Sequence, residues 1–219
     1  MKKLDSSEIV LILANCVPLA GVLFFGWSLF SLLISFWLET GVLLIFVFVK
    51  TLYLYKLTSK TTLLFNGFAT LFFVGPFMFG HFIGIMALFS VVPGGDGWTG
   101  LNLFSQSSTQ LLIMFITLLI SHGYSFLYNF IGKNEKTSVV ELIKQFGANS
   151  PEVGEMVVGD FFIRIFFTQF VVIIGGLIIV LTKGTIYLSA IFIIVKTIVD
   201  LIFHRKKHKI NNNLLTQIN

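Results

Sequence analysis

Six runs of apolar residues, each near the length that a helix needs to cross hydrocarbon, account for most of this chain. They extend roughly over Ile9 to Phe25, Ser28 to Val49, Leu63 to Val92, Leu111 to Ile131, Phe161 to Leu181 and Thr185 to Phe203. A bilayer core takes about 20 helical residues per crossing, and inside it every backbone N–H and C=O must find its partner within the segment. The expected fold class is therefore all-α: a polytopic integral membrane protein of about six transmembrane helices in one bundle. It forms a single domain over residues 1–209, followed by a polar tail over 210–219. Composition agrees, since 56% of the residues are hydrophobic, 11% are charged and 26 are Phe, with a mean hydropathy of +0.93. A soluble domain does not have this profile. The first run follows Lys2, Lys3, Asp5 and Glu8 with no small-residue cleavage site before a hydrophilic domain, so it reads as a retained span. Cys16 is the single cysteine, which excludes an intramolecular disulfide and an all-cysteine metal site.

The loops carry the orientation signal. Of the 15 Lys and Arg residues, twelve fall on one side: Lys2 and Lys3, then Lys50, Lys56 and Lys60, then Lys133, Lys136 and Lys144, then Arg205, Lys206, Lys207 and Lys209. Lys183 falls on the other side, and Arg164 and Lys196 lie within spans. The positive-inside rule then puts both termini on the cytoplasmic side of the membrane. The net charge of +5 is thus a topology signal rather than a nucleic-acid footprint. Phe25, Gly26 and Trp27 separate the first two runs, so these should form a tight hairpin with Trp27 at an interface. The third run is longer than one crossing and contains Pro76, which predicts a tilt or a kink just after Gly75. The loop from Pro93 to Gln110 lacks Lys and Arg and belongs outside. In the loop from Gly132 to Asp160, Ser138 and Glu141 have capping-box spacing and open a short helix. Val139, Val140, Leu142, Ile143 and Phe146 give that helix an apolar side. This suits an interfacial amphipathic helix on the membrane surface or a helix packed on the bundle. The sequence has no internal repeat and no inverted pattern between its halves.

Polar residues inside the apolar runs are the candidates for function, because an ionisable group in hydrocarbon is costly. Glu39 lies mid-run in "SLLISFWLETGVLLIFVFVK", with Ser31 and Ser35 preceding it at four-residue steps. "SHGYSFLYNF" places His122, Ser125 and Asn129 on one helix face, and "VKTIVDLIFH" does the same for Lys196, Asp200 and His204. His122 is eleven residues from Lys133 and Glu39 is eleven from Lys50, about 16 Å in each case, so the two share a depth. His81 sits beside the small-residue face of Gly80 and Gly84. Arg164 anchors the cytoplasmic end of the fifth run, and Gln169 lies deeper in it. Lys196, or a protonated His122, would offset the charge of Glu39. Asp200 is the expected partner of Lys196 along the helix.

The blocks "PLAGVLFFGWSLFSLLISFWLE", "SHGYSFLYNFIGKNE" and "VKTIVDLIFH" resemble an uncharacterised prokaryotic membrane family, domain of unknown function 6498. The resemblance covers nearly the whole chain. It implies one membrane domain, singles out Gly26, Trp27, Trp37, Glu39, Lys50, His81, His122, Ser125, Asn129, Arg164, Lys196, Asp200 and His204, and gives no activity. Leu88 and Gln169 stand where the family pattern has histidines, which weakens a haem or multi-histidine reading here.

Three functions stay open, in this order. The first is a small transporter or proton-coupled conductor using Glu39, His122, Lys196 and Asp200. The second is an intramembrane metal protein or enzyme with His81, His122 and Glu39 as ligands suited to zinc or iron. The third is a structural or accessory subunit. A divalent metal is admitted but not required, and the common hydrolase, zinc-protease and phosphate-loop motifs are absent. The expected partners are the lipid bilayer and, for a chain this small, further copies in a homo-oligomer. No nucleic acid is expected, and the sequence names no ligand.

Overall fold

The computed structural model describes residues 4–91, 99–133, 135–181 and 186–218. Lys183 and residues 93–98 of the expected outer loop lie outside these, as does the Arg164 side chain. The secondary structure of the described residues is all helical, joined by short turns. In order it forms α1 (Ser6–Phe24), α2 (Leu29–Thr58), α3 (Thr61–Val91), α4 (Thr99–Gln106) and α5 (Ser108–Ser125). A π-helical segment, Phe126–Gly132, extends α5. Then come α6 (Glu135–Phe146), α7 (Pro151–Gly154), a second π-helical segment (Glu155–Gly159), α8 (Asp160–Leu181) and α9 (Ile186–Ile218). Among the described residues five helices are long and apolar enough to cross a membrane: α1, α2, α3, α5 with its extension, and α9 up to Arg205. The remaining apolar run forms the 22-residue helix α8.

The α1–α2 hairpin is closed by local chemistry. Gly26 has φ +63, a left-handed conformation that glycine adopts without a Cβ clash. The N–H groups of Phe25 and Trp27 both donate to the Gly21 carbonyl. Trp27 folds back so that a methyl on Gly21 would overlap its indole. Ser28 then caps α2 by accepting from the Ser31 N–H at 3.1 Å. At its far end α2 runs nine residues beyond the expected boundary, to Thr58, and stops at Ser59 with φ 55.

α2 is the central helix, packed by α3, α5 and α8, while α1 lies against α5 and α9. Phe30, Leu32, Leu33, Ile34 and Phe36 belong to one buried hydrophobic cluster of the core. α3 turns Phe65, Phe68, Phe72, Phe73 and Phe79 outward, the arrangement lipid rather than water rewards. It remains helical through Pro76.

Two expectations change. Part of the 93–110 loop is helix α4, because Leu103 reaches the core around Phe30 and Gly100 lies close against the Met86 backbone. The loop helix α6 begins at Glu135, so Ser138 lies inside it rather than capping it. α6 buries Val139, Leu142 and Ile143 against Leu54, Leu63 and Phe130 at the end of the bundle, which leaves Phe146 on the exposed side.

The start of α1 and the region of α9 near Arg205 meet at this same end. Asp5 accepts from Lys133 at 2.5 Å and from the Tyr128 hydroxyl at 3.1 Å. Glu8 accepts from Arg205 at 2.8 Å. Burial works to raise the Asp5 carboxyl, but the Lys133 ammonium, the Ser6 N–H and the Tyr128 hydroxyl outweigh it and hold the group below its usual value.

Candidate functional site

Halfway along α2 the helix presents two different faces. Trp37 looks toward α3, where its indole N–H donates to the Met78 carbonyl at 2.8 Å. Glu39 is two residues on, about 200° around the helix, and so looks away from α3 toward α5 and α9. There its Oε2 meets the Lys196 ammonium in a direct ion pair. Lys196 Nζ also pairs with Asp200 Oδ2 at 2.5 Å, one turn along α9. On the other carboxylate oxygen, Glu39 Oε1 lies 3.8 Å from His122 Nε2 on α5. Asn15 on α1 offers its Oδ1 to Lys196 at 3.4 Å, and the Phe36 ring lies 5.1 Å from the same ammonium. Glu39 is 5% exposed, Lys196 1% and Asp200 0%. Four helices thus bring charged and polar groups together inside the bundle. A charge this deep is retained only with partners and hydrogen bonds.

Next to this centre is a cavity of about 120 Å³ that extends from His122 to Lys50, Glu135 and His204 at the end where α1 begins. Lys50 and Glu135 face each other across 3.6 Å. His204 Nε2 is 3.0 Å from the Ser7 hydroxyl. Ser125 and Asn129 share the cavity wall, with Asn129 Nδ2 donating to Ser125 Oγ at 3.1 Å. Both π-helical segments border it, the first through Phe126 and Asn129 and the second through Met156 and Val157. Such widened turns recur at functional sites.

The expected residues therefore divide. Glu39, His122, Lys196 and Asp200 come together, and Ser125, Asn129 and His204 join them through the cavity. Gln169 is buried nearby but donates to Thr40 at 2.6 Å instead, which makes it interior glue between α8 and α2. His81 stays apart: it sits on α3 against Phe77, on the side of α2 that carries Trp37. The set of His81, His122 and Glu39 is accordingly not assembled, and no group of three His, Cys, Asp or Glu able to hold a metal occurs among the described residues. The reason is the α2 rotation just given, which sends Glu39 away from α3.

Sequence reasoning missed Asn15, Ser7 and Glu135. Asn15 carried a readable signal, as an amide inside the otherwise apolar first run. Ser7 and Glu135 sit at helix beginnings, where polar residues are ordinary, and only the packing shows what they face.

Fold and site together define a polytopic all-α membrane protein with a buried cluster of ionisable side chains. Residues 2–214 match the family described as Family of unknown function (DUF6498), and the chain belongs to that family. No curated protein matches the chain, and no solved structure does.

Proposed function

We propose that this protein is a small proton-coupled carrier or proton conductor of the inner membrane, with Glu39 as the proton-binding group. The observation that supports this best is the joint geometry of Glu39, His122, Lys196 and Asp200. Lys196 and Asp200 offset each other, so one proton shared between Glu39 and His122 makes the four groups sum to zero. That sum is the same whether the proton sits on the imidazole or on the carboxyl. Proton transfer between the two therefore creates no net charge in a layer where net charge is costly. Lys196 serves both states: it neutralises Glu39 when that group is ionised, and it stays neutralised by Asp200 when Glu39 is protonated. The 3.8 Å from His122 to Glu39 exceeds a hydrogen bond, so transfer takes a small closure or one bridging water.

The test is proton flux into liposomes that hold the purified protein and an entrapped pH-sensitive dye, driven by an imposed potential. Flux above that of empty liposomes is expected, and flux equal to theirs overturns the reading. The same proposal orients the chain. Among the described residues Lys50, Lys133 and Arg205 gather at one end of the bundle, so that end faces the cytoplasm. Reporter fusions after Ile218 should signal cytoplasmic placement and fusions between α3 and α4 the opposite. A cytoplasmic signal from both would contradict it.

A further inference from the structure

The cavity beside His122 carries more than its position. Its wall combines eight polar side chains with an apolar remainder, and Asn129 Oδ1 is buried there without a hydrogen-bond partner. Asn129 is 5% exposed, and its amide nitrogen is already engaged by Ser125. A buried amide oxygen left without a donor costs on the order of 1 to 3 kcal/mol, so a small turn of the amide that brings this oxygen to a water in the cavity is favoured. Lys50 and Glu135 offset each other's charge across the cavity, which gives no preference to an anion or a cation. The space of about 120 Å³ is ample for several waters, since one needs only about 10–15 Å³ of such volume. Beyond Glu39, toward the α1–α2 turn, Phe30, Leu32, Leu33, Phe36 and Ile193 close the interior, each at most 1% exposed. A larger solute has no continuation there, whereas a proton has one through His122 and Glu39.

We infer that the cavity is a hydrated half-channel in which Asn129 Oδ1 anchors a chain of waters leading from the Lys50 and His204 end to His122, and that the species it delivers is the proton. This rests on the reading of Glu39 as the proton-binding group. Asn129 acts as a positioning residue, since it holds a water within the chain about two turns of helix from His122 and touches neither carboxylate.

Two methionines make the hydration measurable apart from flux. Met156 lines the cavity, while Met114 packs in an apolar cluster with Val42 and Leu118, and both are 2% exposed. Hydroxyl radicals generated in place by X-ray radiolysis of bound water should oxidise Met156 roughly tenfold or more faster than Met114, because oxidation follows access. Asn129→Leu, near in volume but without the acceptor, should slow oxidation of Met156 and lower proton flux together. Equal protection of both methionines in the unaltered protein overturns the inference, including in the case that Asn129→Leu fails to fold. So does Asn129→Leu with wild-type labelling and flux. Protection of Met156 in a protein that conducts removes the half-channel alone, whereas labelling of Met156 without any flux removes the proton role proposed above.

Discussion

Lys196→Met should destabilise the protein by about 3 to 5 kcal/mol, the usual cost of removing one partner from a buried ion pair. The methionine fills a similar volume, so the loss is electrostatic rather than a cavity. Two carboxylates contact this ammonium, Glu39 directly and Asp200 at 2.5 Å, and with at most 5% exposure neither is open to bulk solvent. The measurement is reversible unfolding in mixed micelles, read as the shift in denaturant midpoint. Adding Asp200→Asn to Lys196→Met removes a second charge and should recover much of the loss, giving a coupling energy well above the additive expectation for independent sites. Unchanged stability in Lys196→Met would show that the centre is solvated and would remove the basis for treating it as a buried network.

How much of this was visible in the sequence depends on the kind of signal. The bundle itself was legible, because hydrocarbon forces a helix wherever about 20 apolar residues follow one another, and all six runs fold as helices. The pairing of Glu39 with Lys196 and the nearness of His122 were legible from depth alone, since distance along a span from the basic loop residues fixes a layer. Rotation was not legible. His81 was offered as a metal ligand beside His122 and Glu39, but the α2 face opposite Trp37 turns Glu39 away from α3, and in a helix that is apolar nearly all round the sequence gives little to set that angle. Gln169 met Thr40 rather than the ion cluster for the same reason. The two π-helical segments had no sequence signal, since one extra residue per turn alters hydrogen bonding without changing which residue types are present. The register of the loop helix was misread because Ser138 and Glu141 match a capping box by spacing, while Glu135 begins the helix beside Lys50 of α2.

Glu39→Gln separates a strut from a relay. The amide keeps the shape of the side chain and can still accept from Lys196, and the remaining Lys196 and Asp200 form a neutral pair at 2.5 Å. Folding should therefore survive, in contrast to Lys196→Met, which leaves carboxylates behind. What the substitution removes is the titratable carboxylate that lies 3.8 Å from His122. If Glu39 relays protons, flux in liposomes should fall by about a hundredfold or more, the scale of losing a positioned acid-base group, at near wild-type folded yield. Ser35→Ala is the control on the same helix face: Ser35 Oγ donates to the Ser31 carbonyl within α2 at 2.6 Å, so its loss should leave flux unchanged. His122→Gln attacks the relay from the cavity side and should reproduce the flux defect, with the Glu39 and Lys196 ion pair intact. Wild-type flux in Glu39→Gln would reduce the carboxylate to a structural partner of Lys196. A defect in Glu39→Gln but not in His122→Gln would instead place the proton's entry to Glu39 outside the cavity.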